Sequence, residues 1–188
     1  MTAHVAWIPQ PTAGVSAGPS SYLSAEEAQA AFRGAMRRLA GAVHLVTTRA
    51  GEELGGLTAT AVCSLTAAPP RVLACINLAG RSYRMICESR VMAVNVLGAE
   101  HEEVAKRFAN PKCGNPFEGS EQWTQATTGA PLLVGAQASF DCAVEQILVT
   151  STHAIVIGDI RHISYQESGK PLLYAEGQFM STAPLSFA

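Results

Sequence analysis

Between positions 55 and 77 the chain reads GGLTATAVCSLTAAPPRVLACIN. A glycine pair opens a run of small and hydroxyl-bearing residues, Pro69-Pro70 stops it, and an apolar segment closes on Asn77. Small side chains let a ligand lie against the backbone, where peptide N–H groups meet a carbonyl edge or a phosphate. The hydroxyls of Thr58, Thr60, Ser64 and Thr66 add donors without positive charge. This combination suits a flat, polar-edged, phosphorylated cofactor better than a metal ion or a nucleic acid. The competing reading is an ordinary strand and turn, since short motifs of Gly, Thr, Ala and Ser recur without function.

A second candidate follows at Gly80-Arg81-Ser82. Gly80 permits a close turn, and Ser82 opens a helix expected over 82–88, whose first N–H groups hold an anion. Arg81 offers a charge-assisted donor there; its alternative is an exposed surface arginine. His153 is a lone histidine on an expected strand, a setting more often structural than catalytic. Arg33, Arg37 and Arg38 fall off the apolar stripe of their helix and read as a solvated face.

Several chemistries lack their signals. No GxGxxG is present, which removes the usual nicotinamide fingerprint of a Rossmann unit. GxxxxGK[ST], HExxH and GxSxG are missing too, so ATPase, zinc-protease and serine-hydrolase readings lose their best motifs. The five cysteines, Cys63, Cys75, Cys87, Cys113 and Cys142, contain no CxxC pair. They predict no metal site and read as reduced, mostly buried thiols.

The elements that must position these residues are mainly strands. Residues 1–22, rich in Pro, Gly, Ser and Ala, form an expected flexible tail, and residues 23–188 an expected single domain. Ser24 with Glu27 spells a capping box. The helix it starts runs to about Leu39, with Ala28, Ala31, Phe32, Ala35, Met36 and Leu39 on one stripe. Strand patterns follow at 43–48, 57–63, 72–77, 91–96, 138–149, 153–163 and 172–174, with helices expected at 82–88 and 100–108. The irregular stretch 110–123 reads as a loop of the kind that covers pockets. One leading helix and many strands point to an antiparallel barrel rather than a doubly wound sheet.

Composition bounds the rest. The 188 residues suffice for one domain with a proper core. A hydrophobic fraction of 48% against 15% charged, with mean hydropathy +0.16, leaves apolar surface that favours an oligomer. Net charge −2 and scattered Lys and Arg give no reason to expect nucleic acid. Two long charge-free stretches, Leu54–Pro70 and Gln122–Phe140, are broken by Gly, Pro, Thr and Gln, so no membrane span is expected. The first Lys or Arg is Arg33, so the N-terminal region lacks the basic start of an export signal and a cytoplasmic address is expected.

Taken in order, FRGAMRRLAGAVHLVTT (32–48), GLTATAVCSLTAAPP (56–70), IN with RSY (76–77, 81–83), AVNVL (93–97), ASFDC (138–142), THAIVIGDI (152–160) and PLLY (171–174) resemble the short-chain flavin reductases. These are the NAD(P)H-dependent partners of two-component monooxygenases. The resemblance spans about 32–179. It implies an FMN-binding split β-barrel, a six-stranded antiparallel Greek-key barrel with flanking helices, usually a homodimer. It also implies hydride transfer from NADH, less so NADPH, to FAD or FMN, with reduced flavin passing to a partner monooxygenase. Carried over by position, Thr58, Ala59, Thr60, Val62, Cys63 and Ser64 line the flavin ring and ribityl chain. Asn77, Leu78, Arg81, Ser82 and Tyr83 hold the ribityl and phosphate portion, and Phe108 packs near the ligand. His153 and Tyr174 fall at the nicotinamide, and His153 is the single candidate for a catalytic role. The family more often has an acidic residue just before this histidine, where Thr152 stands here. A flavoprotein reducing another acceptor such as a corrin, and a non-catalytic flavin-binding module, are the alternatives.

Overall fold

A computed structural model describes residues 24–183. The expected tail, 1–22, lies outside the described residues. Helix α1 (Ala25–Met36) begins with the capping box: Ser24 N donates to Glu27 Oε2 at 2.8 Å, and Glu27 N to Ser24 Oγ at 3.2 Å. It stops at Met36, three residues short of Leu39, because Gly41 already belongs to a strand. None of its residues is buried. The chain divides between Met36 and Arg37, and everything after that point forms one β-rich unit.

That unit contains β1 (Gly41–Ala42), β2 (His44–Ala50), β3 (Glu53–Ala59), β4 (Val62–Ala67), β5 (Pro70–Asn77), α2 (Arg81–Ser89) and β6 (Val91–Val96). A 3-10 turn at Ala99–His101 leads into α3 (Glu102–Ala109). Then come β7 (Trp123–Thr124), β8 (Leu132–Leu133), β9 (Ala138–Val149), β10 (His153–Tyr165), β11 (Leu172–Ala175) and β12 (Gln178–Ser181). The main sheet has the order β3-β2-β6-β9-β10-β5-β4, antiparallel throughout. Strands β1, β11 and β12 make a second sheet, and β7 with β8 a third.

The two edge strands, β3 and β4, are joined only by Thr60 and Ala61. Three backbone steps reach about 11 Å at most, so the sheet must roll until its edges meet at that corner. The edges share no ladder, which leaves the barrel split along one seam. A single strand expected over 57–63 is therefore corrected to two. Val62 N donates to Thr60 O at 3.0 Å and Cys75 N to Ala61 O at 2.9 Å, fixing a corner that carries no Gly or Pro to announce it. This division also brings the main sheet to seven strands, where the resemblance implies six.

Inside the roll, Val46, Ile76, Ile86, Met92, Val94 and Val156 are fully or almost fully buried. Gly158 sits at a β-bulge between β9 and β10, where a Cβ would come within 2.7 Å of both Cys142 and Met92. Its bare backbone lets the sheet curl tightly over the core. The cysteine expectation is corrected as well. Only Cys142 is buried, Cys75 and Cys113 are half-buried, and Cys63 and Cys87 are exposed, because β4 and the outer side of α2 face away from the core. Burial, then the Asp141 and Asp159 charges, push the Cys142 thiol up to about 12, so it is inert. A second core lies under α3, where Val43, Leu45, Leu97, Val104 and Phe108 meet.

Candidate functional site

Three elements converge on one cavity of about 590 Å³, within the range of small-molecule sites. Strand β3 supplies Leu54 to Thr58, the β5–α2 turn supplies Asn77 and Ala79 to Ser82, and the end of α3 with the following loop supplies Arg107 to Pro111, Cys113, Gly114 and Pro116. A neighbouring cavity of about 420 Å³ is lined by Val43, Thr58, Ala59, Thr60, Lys106, Tyr174 and Phe179. Thr58, Ala109 and Asn110 belong to both, so the two cavities adjoin along these residues.

The floor is made by Gly56. It pairs with Thr47 in the β2–β3 ladder, and Phe108 presses on it so closely that a Cβ there would lie 2.5 Å from the ring. Phe108 is buried and packs edge-on against Phe117 at 4.9 Å and at a tilt against Trp123 at 5.7 Å. Thr58 Oγ1 donates to Ala105 O at 2.7 Å, tying β3 to α3 and fixing the waist between the cavities.

At the other end the β5–α2 turn is organised by Asn77. Its Oδ1 accepts from Ala79 N at 2.9 Å, and its carbonyl accepts from Gly80 N at 3.2 Å. Gly80 then stands at the N-cap of α2 with no side chain to satisfy the helix's first N–H groups. Ser82 is buried, and its hydroxyl donates to Gly56 O at 2.9 Å, so it braces α2 on β3. Arg81 is exposed and pairs with Glu53 Oε2 at 2.8 Å.

The structure thus brings Thr58, Asn77, Arg81, Ser82 and Phe108 to one cavity, and Thr58, Ala59, Thr60 and Tyr174 to the other. Leu78 and Tyr83 pack against the main core instead. Val62, Cys63 and Ser64, on edge strand β4, line neither cavity. His153 also lines neither. It is exposed at the start of β10, paired across the ladder with Asn77, and its Nδ1 lies 2.9 Å from Thr152 Oγ1. Tyr174 stacks edge-on with Phe179 at 5.2 Å beside Ala59 and Thr60.

Apart from Phe108, sequence reasoning missed the α3 wall. Lys106 lines the smaller cavity, and the hydrogen bonds its ammonium donates to Glu102 at 2.8 Å and Glu103 at 2.7 Å push it up to about 12. Arg107 and Asn110 to Pro116 carry no motif; the only hint was the irregular loop itself. His101, which introduces α3, accepts from Gly98 N at 3.1 Å, and burial holds its imidazole below the ordinary value. Among the described residues no group of three His, Cys, Asp or Glu side chains is placed to hold a metal. None of the described helices is long and apolar enough to cross a membrane.

The chemistry of this groove is defined by its donors. Two arginines and an uncapped helix start line the larger cavity, with no carboxylate, and β3 backbone, aromatic edges and Lys106 line the smaller. Such a set fits a flat ligand with an anionic end. The flavin reductase like domain model matches residues 36–183, and the chain belongs to that family. It is 38% identical to an FMN reductase (NADH) RutF 2 of Rhizobium rhizogenes, over 83% of this chain and 90% of that one. A Pseudomonas syringae FMN reductase (NADH) RutF is 36% identical over 85% and 89%. Among solved structures, the NADH:FAD oxidoreductase SgcE6 of Streptomyces globisporus, in complex with NAD and FAD fragments, matches with TM-score 0.78, 27% identity and coverage of 87% and 98%. BorF, the flavin reductase component of a bacterial two-component tryptophan halogenase, matches with TM-score 0.77, 28% identity and coverage of 84% and 99%.

Proposed function

We propose that this protein is an NADH-dependent flavin reductase that reduces FMN or FAD and releases the reduced flavin to a separate flavin-dependent oxygenase. The observation that carries the reading is the two-part groove: a cavity lined by two arginines and no carboxylate, adjoining a mainly apolar one, in a chain of the flavin reductase family. Relatives named as NADH-linked FMN reductases make FMN the first flavin to test.

Bound flavin supplies the hydride acceptor, and nicotinamide the donor, so the protein has little acid–base work to do. Its residues bind and orient. Backbone groups at Thr58 to Thr60 meet the polar ring edge, the Asn77–Ser82 turn takes the phosphate end, and Tyr174 with Phe179 closes the apolar cavity on the nicotinamide side. Holding two flat rings in contact converts a bimolecular encounter into an oriented one. That accounts for a groove without a charged catalytic constellation.

The same reading includes a homodimer in the cytoplasm. Its support is apolar surface: Leu65, Leu148, Val149, Ile163 and Tyr165 are each more than 40% exposed in the single chain. Val62, Cys63 and Ser64, outside both cavities of one chain, would then reach the flavin only if the partner completes the groove. A tail over 1–22 and a domain over 23–188 belong to this reading too.

The deciding measurement is NADH oxidation by purified protein with FMN, FAD or no flavin added. Flavin-dependent turnover is the expected result. Silence with every flavin, and with NADPH, overturns the reading. Turnover without added flavin, by protein that keeps its flavin through gel filtration, favours an enzyme with another acceptor.

A further inference from the structure

A cation beside the helix start strengthens the hold on a phosphate, and the sequence motif points to Arg81. In the fold that residue is poorly suited: its side chain is 60% exposed and engaged with exposed Glu53, the kind of pair that contributes little. The larger cavity has one other charged lining residue, Arg107, in the last turn of α3. Its side chain is only 27% exposed. Its Nε donates to Pro116 O at 3.4 Å, and its Nη2 pairs with Glu121, which is itself 17% exposed. Gly119 lies directly against it, since a Cβ there would come within 2.5 Å of Nη2. The guanidinium is thus held by the 110–122 loop while lining the same cavity as the uncapped start of α2. Five donors in a planar fork leave several for a ligand after Pro116 and Glu121 are served.

We propose that Arg107 is the principal cation for the phosphate of the bound flavin, and that Glu121 orients it and partly neutralises it. The inference rests on the flavin reading above. It assigns the anion to a preorganised, half-buried arginine, where a charge-assisted fork is worth more than at the surface.

FMN and riboflavin share the ring system and differ in the phosphate, so their dissociation constants separate the two ideas. Both are measured by flavin fluorescence on the full chain and on Arg107→Gln, Arg107→Lys and Glu121→Gln. Arg107→Gln is expected to weaken FMN about tenfold while leaving riboflavin unchanged. Arg107→Lys, which keeps charge but loses the fork, falls between. Glu121→Gln removes the competing carboxylate and is expected to tighten FMN about threefold with riboflavin again unchanged. Should Arg107→Gln fail to fold, the Glu121→Gln ratio decides. If the unaltered chain binds FMN and these variants keep its FMN-to-riboflavin ratio, the Arg107 assignment is wrong and the flavin reading stands. If the unaltered chain binds neither compound, the flavin reading falls and takes the assignment with it.

Discussion

At the scale of single residues, the groove separates two candidates that the sequence placed together at the nicotinamide. Tyr174 lines the smaller cavity beside Ala59 and Thr60, whereas His153 stands exposed at the start of β10 with its ring turned to Thr152. A ring packed edge-on to Phe179 offers a nicotinamide an apolar face. Tyr174→Ala is therefore expected to raise the KM for NADH about fivefold, the loss of roughly one aromatic contact, with the flavin KM nearly unchanged. His153→Ala should raise the NADH KM less than Tyr174→Ala does. Steady-state kinetics with each substrate varied in turn checks both, and a larger NADH effect at His153 would restore the histidine to the nicotinamide. Gly56 was readable as a ligand cradle, yet its missing Cβ is needed first by Phe108. The spacing of the glycine pair was informative, and the reason for it was packing.

Among the elements, the 110–122 loop is tied to α3 by an ion pair between Arg107 and Glu121. Burial pushes the Glu121 carboxyl up, but the Arg107 hydrogen bond and charge, with the His101 field, outweigh it and hold the group below its ordinary 4.5. A carboxylate depressed in the folded state contributes stability above its unfolded value, and that contribution is lost as pH falls through the folded value. Comparing the unaltered chain with Glu121→Gln in urea, the unaltered chain is expected to be the more stable well above pH 4.5. The gap should close below it. A gap that persists in acid would mean the pair does not hold the loop. The sequence marked this loop only by its irregular composition. Arg107 and Glu121 are 14 positions apart, beyond any helical or strand spacing that pattern reading can use.

For the molecule as a whole, Asn95 is the polar tie. Fully buried on β6, it donates from Nδ2 to Leu45 O and Thr47 Oγ1, both at 3.3 Å, and accepts at Oδ1 from Leu133 N at 2.8 Å and Ser139 Oγ at 2.9 Å. It thereby links β2, β6, β8 and β9 at the centre of the sheet. Fully buried Asp141 on β9 accepts from the backbone N of Thr128 at 2.8 Å and from its hydroxyl, tying the segment before β8 to the sheet. Asn95→Ala leaves several buried donors and acceptors unpaired and is expected to cost roughly 3 kcal/mol. The urea midpoint should drop with an unchanged slope. A loss below about 1 kcal/mol, the net worth of one ordinary hydrogen bond, would show that the network is not integral to the fold.

What the sequence determined by itself was local: the capping box at Ser24, strands with alternating or continuous apolar runs such as β6 and β9, and the small-residue stretch that borders the groove. Each is set by neighbours within a few positions, where side-chain type acts directly on backbone conformation. The corner at Thr60–Ala61 escaped because its cause is distant: Cys75 holds Ala61 only once β5 is in place. The tertiary structure alone decided that Ser82 spends its hydroxyl on Gly56, that β4 faces away from the core, and that Arg107 shares a cavity with the start of α2. Those outcomes follow from the rolling of an antiparallel sheet, which joins residues far apart in the chain, and no local pattern encodes that closure.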